Sequence, residues 1–296
     1  MAAAPAAVAV GEIDSVQGAE MTEALVLGGG GVGGIAWMTG LLAGLADAGQ
    51  DVTGAGLLVG TSAGAAVAAQ LGSGLGLEEL YARQVDPARQ AAEIMAELDL
   101  EKFTEWFGAA LATASSPAEL RRAVGRMALA ARTVGEAERR AVIESRLPVH
   151  TWPERALKIV AVDAESGASR VLDRDSGVSL VDAVAASCAV PGVWPPVTIG
   201  GRRYVDGGVR SVANVDLAAG ADRVLVLLPL GDAEPFPSDH PLDRTVAGLR
   251  AGGAEVTLIA PDETATAAIG PNPLDPATRR PAAEAGREQG RALRIG

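Results

Sequence analysis

Three short stretches of this sequence hold residues whose types and spacing could do chemistry. The first is "GTSAG", residues 60 to 64, a match to G-x-S-x-G with Ser62 at its centre. Small flanking residues let a strand turn sharply into a helix, and that turn presents the serine hydroxyl at the sheet edge, where helix N–H groups favour negative charge. The plainer role for such a serine is a helix N-cap. The second is "RRYVDGGV", where a strand-like segment ends at Asp206 and two glycines follow. It reads either as a carboxylate projected from a turn or as an ordinary hairpin. The third is "ALVLGGGGVGGIAW", residues 24 to 37, with six glycines between Gly28 and Gly34 directly after a hydrophobic strand. Such a loop either aims backbone N–H groups at an oxyanion or cradles a dinucleotide phosphate, and G-x-G-x-x-G is satisfied in two registers.

An activated serine needs a base, most often histidine. The chain has two histidines, His150 in "PVHTWPE" and His240 in "PSDHPLD", and both read as surface residues. Asp206 is therefore the candidate base. Cys188, within the apolar "AASCAVPG", reads as a small buried hydrophobe and not as a rival nucleophile. A dinucleotide site would want an acidic residue at the end of the second strand, but that strand runs into Thr61 and Ser62. Asp47 and Asp51 precede it and read as solvated loop residues. No cluster of His, Cys and carboxylates at metal-ligand spacing stands out, so neither a cofactor nor a metal is expected.

The elements that must position these residues follow from periodicity and punctuation. Residues 23 to 28 and 55 to 60 read as buried strands, and 34 to 48 and 62 to 71 as the helices after them. From about 77 to 146 the pattern turns amphipathic and helical. Phe103, Trp106 and Phe107 share one helical face there, as core or as a lid or acyl-binding surface. Strands return at "ALKIVAVDAESG", "SRVLD", "RVLVLLP" and "EVTLIAP", with a helix at "LVDAVAASCAV" stopped by Pro191. Residues 231 to 243 and 270 to 281 read as surface loops. This alternation predicts an α/β fold over residues 21 to 296, as one domain with a helical insert at about 77 to 146. Residues 1 to 20 read as a disordered tail without the basic region of a signal peptide, and Met21 is an alternative start. Two uncharged runs, Ala24 to Ala46 and Val52 to Leu77, are long enough to span a bilayer. Their glycine loops make them buried elements of a soluble core instead.

Net charge is −12 with a pI near 4.7. That excludes a nucleic-acid partner and electrostatic docking on anionic lipid, and leaves a neutral lipid interface open. The single cysteine rules out an internal disulfide and fits a reducing, cytoplasmic compartment. Oligomeric state is not legible.

Taken together, "GGGGVGG", "GTSAG" and "DGG", with "ASCAVPGVWPPV" leading up to the aspartate, resemble the patatin-like phospholipase family over roughly Ala24 to Val215. The resemblance implies a three-layer α/β/α patatin-like sheet with the helical insertion between the nucleophile helix and the later strands. It implies a serine acyl hydrolase with a Ser62/Asp206 dyad, acting on a lipid or other hydrophobic carboxylic ester. The backbone N–H groups of Gly29, Gly30, Gly31 and Ala63 would form its oxyanion hole. Where many members carry Arg or Lys just before the last loop glycine, this chain has Gly33. The alternatives are a nucleotide-binding protein that uses only the glycine loop, and a catalytically silent patatin-like regulatory module.

Overall fold

The computed structural model describes residues 21 to 234 and 237 to 295, except 97 to 99; the side chains of residues 100 to 103 and 106 are also outside the description. The expected tail, residues 1 to 20, and the side chains of Phe103 and Trp106 therefore lie outside the described residues.

Eight strands form one mixed sheet: β1 (Glu23–Leu27), β2 (Leu57–Gly60), β3 (Ala156–Asp163), β4 (Ser169–Leu172), β5 (Val197–Ile199), β6 (Arg202–Asp206), β7 (Arg223–Leu227) and β8 (Glu255–Ile259). The order is β5-β6-β3-β2-β1-β7-β8, with β4 paired to β3. Strands β3, β2, β1, β7 and β8 are parallel; β4 and β6 each pair antiparallel with β3, and β5 pairs antiparallel with β6 and so runs in the direction of the parallel set. Strand β1 shows why the fold has three layers. Its alternate side chains point to opposite faces: Leu25 and Leu27 enter one large core, and Ala24 and Val26 a second on the other face. Both faces are covered, so the parallel strands read as unbroken apolar runs.

The large core lies under α1 (Gly31–Asp47) and α2 (Ala63–Leu71). Four helices, α3 (Leu77–Val85), α4 (Leu100–Thr113), α5 (Pro117–Ala130) and α6 (Glu136–Arg146), then separate β2 from β3. The remaining helices are α7 (Leu180–Ser187), α8 (Leu242–Ala251), α9 (Glu263–Ile269) and α10 (Arg279–Ala292). Helix α8 covers the second core through Leu242 and Val246. Helix α1 is buried from Val32 to Leu45 because α10 lies directly on it. A Cβ on Gly40 would stand 2.0 Å from the Ala283 carbonyl oxygen, so the two backbones meet where only glycine fits. Among the described residues no helix is long and apolar enough to cross a membrane.

Two boundaries differ from the sequence expectation. Helix α1 begins at Gly31 and not near residue 34, so the last glycines of the loop belong to its first turn. The stretch 270 to 281 is not all surface loop: α10 begins at Arg279, and Pro271, Pro273 and Leu274 line the main cleft.

Candidate active site

Strand register brings Ser62 and Asp206 together. Gly60 of β2 pairs with Ile159 of β3, and Ala161, two residues on, pairs with Asp206 of β6. Ser62, two residues beyond Gly60, is thus level with Asp206 across β3.

Ser62 is one of two described non-glycine residues with positive φ, at φ 54° and ψ −117°. A serine holds that conformation only where its surroundings enforce it. Here the C-terminal end of α7 clamps both sides of the residue. Ser187 Oγ accepts the Ser62 N–H at 3.0 Å, and the Cys188 thiol donates to the Ser62 carbonyl at 3.1 Å. The small residues of "GTSAG" are also explained by contact. A Cβ on Gly64 would stand 1.9 Å from the Leu27 carbonyl oxygen, and one on Gly60 would stand 2.5 Å from Ala65 Cα. The Ser62 side chain makes no capping hydrogen bond to α2.

Asp206 ends β6, is 5% exposed, and donates its N–H to the Ala189 carbonyl at 3.0 Å. Its Oδ1 accepts the Gly208 N–H at 2.7 Å, while Oδ2 is buried without a well-formed hydrogen bond. Burial pushes this carboxyl up to about 7, against the opposing pull of the Ser62 hydroxyl and the Gly208 N–H. The hydroxyl is therefore close enough to favour the carboxylate without closing an ideal bond to it.

The loop N–H groups divide by partner. Gly28 donates to the Leu227 carbonyl at 2.9 Å and Gly29 to that of Val212 at 3.0 Å, whereas Gly30, Gly31 and Ala63 have no backbone acceptor among the described residues. This narrows the expected donor set: the Gly29 N–H is committed to holding the loop against Val212. At Gly30 the glycine requirement also has a different cause from access to the cleft. A Cβ there would lie 2.5 Å from Pro229 Cβ.

Gly28 to Gly31, Ser62 and Asp206 open onto one cleft of about 320 Å³, walled chiefly by apolar residues including Phe107, Val190, Val209, Leu228, Leu230 and Leu274. That is a size and character suited to a small apolar ligand. Phe107 packs with Ala110, Leu120 and Val124 and also lines the cleft. A second cavity of about 320 Å³ lies at the opposite strand ends, beside Glu23, Asp51, Arg223 and Glu255, and holds none of these residues.

Neither histidine lines the cleft. The ring of His150 lies 3.1 Å from the Glu144 carbonyl and that of His240 3.6 Å from Asp216. Cys188 is buried, and burial pushes its thiol up to about 12, far from a reactive thiolate. Asp47 is not simply solvated: Arg287 and Arg291 bond it and hold it down at about 2 despite some desolvation.

Sequence reasoning missed three supports of the site. Ser187 and the thiol role of Cys188 are two. The third is Asn214, fully buried at φ 53°, which donates to Thr61 Oγ1 at 2.9 Å and to the Ser211 carbonyl at 3.1 Å. It accepts from Arg210 at 2.6 Å, and Arg210 in turn forks onto Asp216 at 2.9 and 2.7 Å. Asn214 so ties the residue before Ser62 to the segment that follows Asp206. Its only sequence signal is an Asn eight residues after a candidate catalytic Asp.

Among solved structures the chain is similar to VipD from Legionella pneumophila, at 13% identity and a TM-score of 0.43, covering 92% of this chain and 66% of that one. It is also similar to the type III effector protein ExoU, at 15% identity and a TM-score of 0.38, covering 92% of this chain and 54% of that one. The chain thus spans just under two thirds of the first and about half of the second. A comparison with curated proteins finds no match. The profile of the family described as patatin-like phospholipase matches residues 25 to 219, which hold the glycine loop, Ser62 and Asp206, and the chain belongs to that family.

Proposed function

We propose that this protein is a serine acyl hydrolase in which Ser62 and Asp206 act as a dyad on a lipid or other hydrophobic carboxylic ester. The observation that carries the reading is one juxtaposition. A serine in an enforced strained turn shares an apolar cleft with a buried carboxylate that has an unsatisfied oxygen and a pKa near neutrality. A base poised near the working pH is what general base catalysis requires, and an ordinary aspartate is too acidic for it.

In the first step Asp206 takes the hydroxyl proton as Ser62 Oγ attacks the ester carbonyl. The N–H groups of Gly30, Gly31 and Ala63 are the proposed oxyanion donors, with the N-terminal ends of α1 and α2 adding their dipoles. The tetrahedral intermediate expels the alcohol, which leaves with the proton held by Asp206, and an acyl-serine remains. Water then attacks the acyl-serine with Asp206 again as base; the acyl–Oγ bond breaks, the carboxylic acid is released, and Ser62 Oγ takes the proton back from Asp206. The apolar wall of Phe107, Val209, Leu228 and Leu274 is suited to the acyl chain.

The test is covalent labelling with a fluorophosphonate together with a panel of esters of increasing chain length. Ser62→Ala is expected to abolish both labelling and hydrolysis with its circular dichroism unchanged. A labelled, active Ser62→Ala protein removes Ser62 from the mechanism.

A further inference from the structure

Beside the nucleophile, on the far side of the oxyanion loop, the structure buries more positive than negative charge. Glu93, with a side chain 3% exposed, faces Arg139, Arg146 and Arg279, whose side chains are 8%, 7% and 7% exposed. Arg139 and Arg146 each bond the carboxylate, and Arg279 stands 3.6 Å from it. Among the described residues, three guanidinium groups against one carboxylate leave a surplus of about two charges, since arginine does not deprotonate in proteins. Buried charge of that kind is costly unless an opposite charge completes it.

The cluster is also short of acceptors. Arg139 Nε and Arg146 Nε are buried and have no hydrogen-bond partner among the described residues. Arg139 is held flat over the Trp194 ring at 3.6 Å, so its plane is fixed. Both arginines line a chamber of about 20 Å³ whose other walls include Gly31, Ser62, Ala63 and Cys188. Gly31, Ser62, Val190 and Leu274 belong to both this chamber and the main cleft, so the two spaces adjoin at the nucleophile. A volume of that size holds about one water-sized group.

We propose that this chamber is an anion site that takes an oxygen of a phosphate group, free or esterified, on Arg139 and Arg146, with Arg279 adding charge. Phosphate matches the surplus, carrying about −1 as a diester and −1.5 to −2 as a monoester near pH 7. Guanidinium donors suit it in geometry. An esterified phosphate would reach the chamber from the cleft, with the rest of its molecule outside. That catalytic use rests on the acyl-hydrolase reading, whereas binding of the free ion does not.

The experiment is titration of the full chain with inorganic phosphate, followed by calorimetry and by thermal unfolding, for the parent, Arg146→Gln and Glu93→Gln. Saturable binding is expected in the parent, weakened about tenfold or more by Arg146→Gln, the scale for losing a charged hydrogen bond. Glu93→Gln removes the competing anion, so phosphate should raise its unfolding temperature more than it raises the parent's. That comparison decides the matter even where Arg146→Gln fails to fold. Ser62→Ala should bind phosphate as the parent does, which separates this site from the fate of the hydrolase reading. Comparing a phosphate-bearing ester with a neutral ester of equal chain length then distinguishes the sources. A lower KM for the charged ester that Arg146→Gln abolishes assigns the site to a substrate group, and equal KM values beside tight phosphate binding assign it to the free ion. An absence of saturable binding over the millimolar range, or equal thermal shifts in all three proteins as a salting effect would give, overturns the proposal.

Discussion

Asp206 and Glu93 are two buried carboxylates in adjoining parts of the molecule, and burial pushes both toward the neutral form. For Asp206 only a hydroxyl and one N–H oppose it, and the carboxyl rises to about 7. For Glu93 the charges of Arg146 and Arg139, with their hydrogen bonds, outweigh it and hold the carboxyl below its ordinary value. Burial thus leaves a carboxyl that titrates near neutrality in one place and a carboxylate held ionised in the other, and the difference lies in the cations supplied by α6. A carboxylate without a cation costs stability and gains reactivity; one surrounded by cations does the reverse.

The comparison predicts opposite stability effects for two similar substitutions. The largest is expected for Glu93→Gln, which leaves three buried guanidinium groups without their anion and should cost about 3–5 kcal/mol, the range for breaking a buried pair. Denaturant unfolding checks this, and a neutral outcome would mean that water already compensates the cluster.

Asp206→Asn should act the other way. The folded state favours protonated Asp206, so this group's contribution is full below its unfolded value of 3.8 and is lost as pH rises through about 7. The variant should therefore be more stable than the parent at pH 8, by up to about 4 kcal/mol at 1.36 kcal/mol per pKa unit, and the difference should shrink toward pH 4. The same variant should lose about 10²-fold or more in kcat, the range for a general base. Unfolding curves at the two pH values and steady-state kinetics on one preparation test the trade between stability and activity.

The smallest effect is expected from His150→Gln with His240→Gln. A triad would make the imidazole indispensable. With neither ring at the cleft, the double variant should keep kcat/KM within about tenfold, or ~1.4 kcal/mol. A folded double variant that loses a thousandfold would require a histidine in the mechanism.

Much of the fold was legible because its signals are local. Strand β1, the glycine run, "GTSAG" and "DGG" each carry their meaning within a few residues, and the alternation of apolar strands with helices indicated the α/β sheet. What escaped depends on distant partners. Arg139 and Arg146 reach Glu93 across 46 and 53 residues of sequence, and Ser187 reaches Ser62 across 125. In sequence these arginines are ordinary charges on the amphipathic helix α6. Only the packing of that helix against the loops of Glu93 and Trp194 turns them inward. The glycine loop failed at finer scale: periodicity could not tell which N–H groups are spent on Leu227 and Val212, nor that the Gly30 position faces Pro229.

The dyad is tested most directly by the rate at which a fluorophosphonate labels Ser62 as a function of pH, in the parent and in Asp206→Asn. If Asp206 is the base, the parent's rate should follow the ionised carboxylate, falling on the acid side of an inflection near pH 7. That inflection should be absent from the slow labelling of Asp206→Asn. A parent rate that stays flat from about pH 5 to about pH 9, or an inflection that survives unchanged in Asp206→Asn, would contradict Asp206 as the base.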